Sequence, residues 1–422
     1  MSIRQRLRSD QDSAVWLAKH CSDARFVYNL GLEQRNLWRC HRVAKINVAT
    51  QMKELAAARQ ANDWLKFGSS SVQQAALRDL DRAFQNWWKN PGHFSHPTWR
   101  RAGTHEGFYV RDLRIRQINR NWGVVSIPKA GWVRFRATRP WAEIEAATSA
   151  RVNLDRSGRW HISFATPAPG FQREPTGAVV GLDMGIAATV TTSNGAHLRM
   201  PRVLSPGETQ RKRRLQRQLS RQQKGSNRRA RTKLCLARLA AKEVDRRRDW
   251  IEQTTTHLVR TCDFIAVEDL AVKNMVRSAK GTVDRPGRNV RQKAGLNRSI
   301  HGQSWSLFRQ RLADKALHAT DLDGAPRHVE LMAVNPAYTS QRCSDCGYTA
   351  AENRESQAIF RCRSCAHAAN ADVNAARNIL AAGLAVSGRG GTSHAPLVPD
   401  RDQVDQAQCP DETSTTRNPV AA

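Results

Sequence analysis

Residues 177–198, "GAVVGLDMGIAATVTTSNGAHL", decide the fold. A continuous apolar run leads to Asp183, turns between Asp183 and Gly185, enters a second apolar strand and turns again at Ser193-Asn194-Gly195. Half-buried strands alternate apolar and polar residues. An unbroken apolar run fits a central strand covered on both faces. A second run of this kind, "CDFIAVEDL" at 262–270, stops on Glu268, and "HVELMAVNP" at 328–336 reads as a third strand. This part of the chain is read as a unit of apolar strands, two of which end on acids.

Outward from that unit the texture changes. Residues 10–89 read as helices, with Val72, Ala76, Leu80, Phe84 and Trp87 at helical spacing behind serine caps. Residues 91–170 turn to strands. "GVVSIPKAGWVRFRAT" (123–138) and "ARVNLDRSGRWHISFATPA" (150–168) alternate, the second around a turn at Asp155–Gly158. Arg134, Arg136 and Arg159 beside Trp132 and Trp160 are expected on the outward face, a pattern suited to stacking and phosphate contact. Residues 206–260 form a helical stretch broken at Gly225-Ser226-Asn227, which predicts two antiparallel helices. Residues 276–299 read as a basic loop, 302–318 as a helix and 386–422 as a disordered tail. The whole is a multidomain α+β chain.

The charge is far from balanced: 68 Lys and Arg against 37 Asp and Glu over 422 residues, a formal +31. Within 206–260 there are 17 basic residues and 5 acids, too few acids to pair along the helix. Such an excess repels itself unless it faces a polyanion, and nucleic acid is the first candidate. No run approaches the ~18 apolar residues of a membrane span, and no basic amphipathic segment has a strong apolar face, so a membrane partner is not expected. The start, "MSIRQRLRSDQD", lacks the apolar core of a secretory signal. The expected location is the bacterial cytoplasm, on the nucleoid when bound to DNA. In that reducing interior, nine cysteines argue for metal or free thiols rather than disulfides.

Four of the nine are spaced as ligands. Cys343 and Cys346 in "QRCSDCGY" are followed, after fifteen residues, by Cys362 and Cys365 in "FRCRSC". Two C-x-x-C turns can close a tetrahedron of thiolates around Zn²⁺, with no open position for substrate. A deaminase-type alternative would use His328-Val329-Glu330 with the first C-x-x-C. It fails on Arg342 standing before Cys343, on the twelve-residue gap after Glu330, and on the unused second pair.

The second cysteine pair runs at once into "NADVNAARNIL" (370–380), where Asp372 opens a helix with Asn370 as a plausible cap. If the strands that end on Asp183 and Glu268 are neighbours and this helix packs across them, three carboxylates converge. Three acids together repel unless cations lie between them. Mg²⁺, a hard ion content with carboxylates and phosphate, fits, and two such ions would serve phosphodiester hydrolysis.

The stretches "GLDMG" (181–185), "AVEDL" (266–270), "TSQRCSDCGY" (339–348) and "NADVNAARNILAAG" (370–383) resemble the RuvC-type nuclease motifs and zinc finger of TnpB proteins. These are RNA-guided endonucleases of bacterial insertion sequences, related to compact type V CRISPR effectors. "RFVYNLGLEQRN" (25–36), "GWVRFRATRP" (131–140) and "PGRNVRQKAGLNRSI" (286–300) extend the resemblance over nearly the whole chain. It implies a wedge β-barrel split between 1–9 and 90–170, with a helical recognition domain at 10–89. It implies an RNase H-like RuvC nuclease domain at 171–338 and 367–385 that carries the basic arm 206–260, with a zinc finger inserted at 339–366. It also implies Asp183, Glu268 and Asp372 as catalytic Mg²⁺ ligands and Cys343, Cys346, Cys362 and Cys365 as zinc ligands. The implied partners are a guide RNA and target double-stranded DNA, and the implied activity is metal-dependent, RNA-guided DNA cleavage. The alternative within the family is a guided binder that represses without cutting. In that division of labour base pairing reads the sequence and the protein supplies charge and shape. The chain departs from many relatives at Ala366-His367, where glycine often follows the second C-x-x-C, which puts that turn's geometry in question. No His-hydrophobe-His pair of the single-strand transposases occurs, so the chain is not expected to be the transposase itself.

Overall fold

β1 (Ser2–Arg8) buries Ile3, Gln5 and Leu7 and exposes the residues between them, the period-two pattern of a strand with one face on a core. Four helices follow: α1 (Gln11–Leu37), α2 (Val48–Ala61), α3 (Asp63–Lys66) and α4 (Ser70–Lys89). Then come strands β2 (Gly107–Val110), β3 (Ile115–Asn119), β4 (Trp122–Ile127) and β5 (Gly131–Arg136), the short α5 (Trp141–Glu145), β6 (Ser149–Leu154) and β7 (Trp160–Ala165). The computed structural model describes residues 2–37, 46–167 and 171–388. They form two compact units, one drawn from Met1–Pro169 and Leu204–Glu243, the other from Gly170–Val203 and Val244–Ala422.

In the first unit the seven strands make one antiparallel sheet in the order β2-β6-β7-β1-β5-β4-β3. Its core joins Phe108, Phe135 and Phe164 of the strands to Leu17, Leu32, Leu77 and Leu80 of the helices. The helical spacing expected in α4 is observed: Val72, Ala76, Leu80 and Phe84 are buried. Ser69 occupies the cap position but makes no capping hydrogen bond; its hydroxyl meets that of Ser71 instead. The expected turn forms at Asp155, whose carboxylate accepts from the backbone N–H groups of Ser157 and Arg159. Trp160 departs from expectation. It is buried in the core, whereas Trp132 is exposed beneath the guanidinium of Arg116 at 4.5 Å. Strand alternation places Trp160 inward once Arg159 is held outward by Asp155.

The basic stretch is a helical hairpin of α6 (Pro206–Arg221) and α7 (Asn227–Thr261). Ser205 and Glu208 form a capping box at the start of α6. Glu208 pairs with Lys242, and Arg229 donates to the carbonyls of Leu219 and Gln222, so the two helices run antiparallel. Arg211, Arg213, Arg214, Arg217, Arg228 and Arg231 are exposed along it.

The second unit is built on β9 (Val179–Asp183), β10 (Val190–Thr192), β11 (His197–Leu198), β12 (Phe264–Glu268) and β14 (Glu330–Val334). A small pair, β8 (Phe171–Gln172) with β13 (Ala319–Thr320), lies apart from them in its own sheet. The sheet order is β11-β10-β9-β12-β14. β9 and β10 are antiparallel, as are β10 and β11, whereas β9, β12 and β14 run parallel. Helices α8 (Val272–Met275), α9 (Val290–Gln303), α10 (Trp305–Leu317) and α11 (Ala371–Gly388) complete it, with the hairpin β15 (Ile359–Arg361) and β16 (Ala368–Asn370). β12 is buried at every position, and its two faces go to different layers. Phe264 and Ala266 pack with Ile379 of α11, while Ile265 and Val267 join Ile251, Leu258, Phe308 and Leu312 of α7 and α10. The unbroken apolar pattern thus arises from cover on both sides, as read.

Two boundaries differ from the sequence reading. Residues 290–299 belong to α9, not to a loop. Only Ile300 of that helix is buried, so it carries no apolar stripe to betray it, and it is delimited by left-handed Asn289 and Ser304. α11 continues through 386–388, and the remainder of the expected tail, 389–422, lies outside the described residues.

Candidate active site and metal centre

Register brings the first two acids together. Leu182 of β9 lies opposite Val267 of β12 in a parallel ladder, so the next residues, Asp183 and Glu268, leave adjacent strands at the same end. α11 supplies the third. It crosses β9 at Gly181, where a Cβ would fall 2.1 Å from the carbonyl oxygen of Ala376, and crosses β12 at Gly383, where a Cβ would fall 2.7 Å from the side-chain Cβ of Ala266. Only glycine permits so close an approach. The contact fixes the helix over the two strands with its N-terminus, and hence Asp372, toward their acidic ends. Asn370 caps that N-terminus, its side-chain oxygen accepting from the N–H groups of Asp372 (3.0 Å) and Val373 (3.3 Å).

Asp183 feels the other two carboxylates. Burial first, then the charges of Glu268 and Asp372, push Asp183 up to about 7 against the opposing pull of Arg354. Burial also raises Glu268, opposed by a hydrogen bond from Thr339 and by Arg354. The Thr339 hydroxyl donates to Glu268 Oε1 at 2.6 Å, and Arg354 Nη2 lies 3.4 Å from Asp372 Oδ1. These are hard oxygen donors around one region of net negative charge, the donor set a Mg²⁺ ion takes. Among the described residues only the four cysteines bring all their ligand atoms within 4.8 Å of one another, so the acids stand further apart than a closed cluster.

In that cluster Cys343 Sγ is 3.7 Å from Cys365 Sγ, and Cys346 Sγ is 3.6 Å from Cys362 Sγ. A disulfide would bring sulfurs to ~2.05 Å. Ligands ~2.3 Å from a tetrahedral Zn²⁺ stand ~3.8 Å apart, so the four thiols fit that ion. The two knuckles repeat one geometry. The N–H of Gly347 donates to the carbonyl of Cys343 and that of Ala366 to Cys362. The N–H of Cys343 donates to the carbonyl of Tyr348 and that of Cys362 to His367. Gly347 has φ +79° and Ala366 φ +62°. The alanine therefore adopts the left-handed turn that glycine takes in the first knuckle, at the steric cost of its Cβ, roughly 1–2 kcal/mol. The departure at 366 changes the energy of the turn, not its shape.

The cysteine lobe grips the helix that bears Asp372. Asn374 accepts from the N–H of Ser344 and donates to the carbonyl of Arg342, and Asn378 donates to the carbonyls of Arg342 and Thr339. Fully buried Asn353 joins both knuckles, donating to the carbonyls of Gln341 and Tyr348 and accepting from the N–H of Arg363. Its neighbour Arg354 faces Asp372. The sequence reading passed over Thr339, Asn353, Arg354, Asn374 and Asn378. Only the i,i+4 spacing of the two asparagines on an otherwise apolar face could have pointed to them.

Comparison with known proteins agrees with this architecture. Residues 161–279 match the family OrfB_IS605, described as "Probable transposase", and residues 305–379 match the Cas12f1-like TNB domain. The chain is 37% identical over 393 residues to a protein of Escherichia coli (strain K12) named "Putative RNA-guided DNA endonuclease InsQ", covering 91% of this chain and 92% of that one. It is 29% identical over 398 residues to a "Putative RNA-guided DNA endonuclease" of Streptomyces pristinaespiralis, covering 92% and 90%. Among solved structures it shares the mixed α/β fold of the Cas12f1-sgRNA-target DNA complex, with a TM-score of 0.52 at 13% identity over 87% of this chain and 82% of that one. The chain belongs to the TnpB-like family that includes InsQ. Among the described residues no helix is long and apolar enough to cross a membrane.

Proposed function

We propose that this protein is an RNA-guided DNA endonuclease with one nuclease site, formed by Asp183, Glu268 and Asp372, and a structural zinc site formed by Cys343, Cys346, Cys362 and Cys365. The observation that carries the reading is the convergence of Asp183 and Glu268, at the ends of the adjacent parallel strands β9 and β12, with Asp372 at the start of α11, near enough that Glu268 and Asp372 raise Asp183. The sheet order of the second unit, three antiparallel strands followed by two parallel ones, supports an RNase H-like nuclease domain of RuvC type. The antiparallel sheet and helices of the first unit support a wedge domain and a recognition domain. The names of the relatives, matched over 90% or more of each chain, support a guide RNA and a DNA target as partners.

The three carboxylates would hold two Mg²⁺ ions, which when bound activate water and stabilise the leaving oxygen of a phosphodiester. Asp183 and Glu268 present oxygens from rigid strand ends, and the sheet fixes their separation. Asp372 presents its own from the capped end of α11. Arg354 limits the repulsion and offers a cation to phosphate. The exposed arginines of the α6–α7 hairpin bind nucleic-acid backbone without reading sequence. The cysteine lobe holds residues 339–344 against α11.

The test is a cleavage assay with guide RNA, matched duplex and Mg²⁺. The unaltered protein should cut. Asp372→Ala should bind guide and target but not cut. Cutting by Asp372→Ala at the unaltered rate would refute the site. Binding without cutting by the unaltered protein would return it to the guided binders. Sequence-specific cutting by protein stripped of RNA would refute guidance.

A further inference from the structure

We propose that Thr339 is a positioning residue for Glu268, and that Asn378 ties it to α11, so that a strap of two hydrogen bonds sets the relation between Glu268 and Asp372. The inference rests on the reading of the three acids as a metal site and assigns a role to residues outside that set.

The first bond is that of the Thr339 hydroxyl to Glu268 Oε1, at 2.6 Å. The hydroxyl also lies 3.1 Å from the carbonyl of Pro336, but its single hydrogen goes to the nearer and charged acceptor. Thr339 is buried, so water does not compete well for this bond. A donor on one oxygen fixes the rotation of the carboxylate and leaves Oε2 as the oxygen to offer a cation. The second bond runs from Asn378 Nδ2 to the carbonyl of Thr339, at 2.9 Å. Asn378 is itself buried on α11, the helix that begins with Ala371 and Asp372. The path from one acid to the other is therefore Glu268, Thr339, Asn378, α11, Asp372.

The chain is bent to make this path. β14 ends at Val334, opposite Glu268 in the parallel ladder. Five residues later the chain must turn back toward Glu268. It does so through Tyr338, whose φ of +63° is a left-handed conformation that a bulky residue adopts only under strain. The Tyr338 side chain is left exposed and that of Thr339 is turned inward. The N–H groups of Gln341 and Arg342 both donate to the carbonyl of Tyr338 and hold the turn. Cys343 follows at once. This gives the cysteine lobe a task at the site. By anchoring 343 and 346 it anchors the loop that carries the strap, with Asn374 and Asn378 as the other hand of the grip.

Partners of metal-ligating carboxylates typically contribute 10–100-fold in metal affinity or activity. Thr339→Val keeps the shape and removes the hydroxyl, whereas Thr339→Ser keeps the hydroxyl. With guide RNA bound, Thr339→Val should need about tenfold more Mg²⁺ for half-maximal cutting, and Thr339→Ser should need nearly the unaltered concentration. A readout independent of cutting is backbone scission by Fe²⁺ in place of Mg²⁺, with ascorbate and peroxide. Fragments ending near residues 183, 268 and 372 report the bound ion, and the Mg²⁺ needed to suppress them should rise for Thr339→Val and not for Thr339→Ser. Asn378→Ser, which shortens the second bond's donor, should shift both readouts in the same direction. Unchanged Mg²⁺ dependence in Thr339→Val, with or without a lower melting temperature, would overturn the proposal. So would a Thr339→Ser protein no better than Thr339→Val. Absence of both cutting and local scission in the unaltered protein would instead sink the reading of the three acids, and the strap with it.

Discussion

Two carboxylates of the second unit show opposite behaviour. Glu252, on α7, would be raised by burial, but Arg311 and then Lys315 of α10 pull it down to about 2. Arg311 Nε lies 2.5 Å from its Oε1 and Lys315 Nζ 2.8 Å from its Oε2. Asp183 is raised by burial and raised again by Glu268 and Asp372, to about 7, with Arg354 alone among the causes opposing. In a chain of net charge +31 there is no shortage of cations. The difference teaches that where a carboxylate clamps two helices the chain brings cations to it, and where two strand ends meet a helix start the chain brings acid to acid. The first arrangement is complete as architecture. The second leaves repulsion on Asp183 that, on the proposed reading, a divalent ion would relieve.

The sharpest way to break the comparison is to neutralise one acid in each place. Asp183→Asn, Glu268→Gln or Asp372→Asn should each lower the cleavage rate at least about a thousandfold, the scale on which a site acting as a unit fails, with guide and target affinity nearly unchanged by gel shift. Glu252→Gln should leave cleavage in place and lower the melting temperature. If Glu252→Gln were the more damaging to cutting, the roles would be reversed.

Next in size is loss of the cysteine centre. The purified protein should contain one zinc by elemental analysis, and Cys343→Ser should lose it along with most of the cleavage, because the thiolates hold the loop that reaches Glu268. An active preparation without zinc would contradict this.

The pH dependence separates the two carboxylates by sign. Asp183 is raised in the folded state, so between its ordinary value near 3.8 and about 7 the folded chain binds more protons than the unfolded one. Stability without added divalent ions should therefore fall as pH rises through that window. Glu252 is lowered from 4.5 to about 2, so its contribution is present above pH 4.5 and is lost as pH falls toward 2. Thermal melts from pH 5 to 8 should show a downward slope that Asp183→Asn flattens and Mg²⁺ reduces. An unchanged slope in Asp183→Asn would remove that residue from the account.

The smallest effect concerns the second knuckle. Ala366→Gly should stabilise the protein by about 1 kcal/mol by relieving the left-handed alanine, and Gly347→Ala should destabilise it by a similar amount. Both are read as shifts in melting temperature at constant zinc content. A destabilising Ala366→Gly would show that the two turns are not equivalent.

What could be read from the sequence was whatever leaves a periodic or spaced mark. Asp183 and Glu268 were marked by the apolar runs they terminate, the four cysteines by their spacing, and Asp372 by its place after the Asn370 cap. α9 left no mark, because a helix that buries only Ile300 has no stripe. Trp160 is buried because neighbouring residues take opposite faces, and Arg159 is the one held outward, by its bond to Asp155. The pairing of β1 with β5 and β7 joins residues more than a hundred positions apart, and no local pattern specifies it. Thr339, Arg354 and Asn378 lie in irregular backbone or on a helix face otherwise given to packing. Their place at the site exists only in three dimensions, where the loop after β14 turns back to Glu268 on the neighbouring strand β12.

The central claim is that Asp183, Glu268 and Asp372 hold divalent ions. The most direct measurement is diffraction from crystals of the protein with guide RNA and target, grown in Mn²⁺ and recorded at the manganese and zinc absorption edges. The account predicts manganese peaks among the three carboxylates and a single zinc peak among Cys343, Cys346, Cys362 and Cys365. Manganese found only on nucleic acid, with no peak at the three acids, would contradict it.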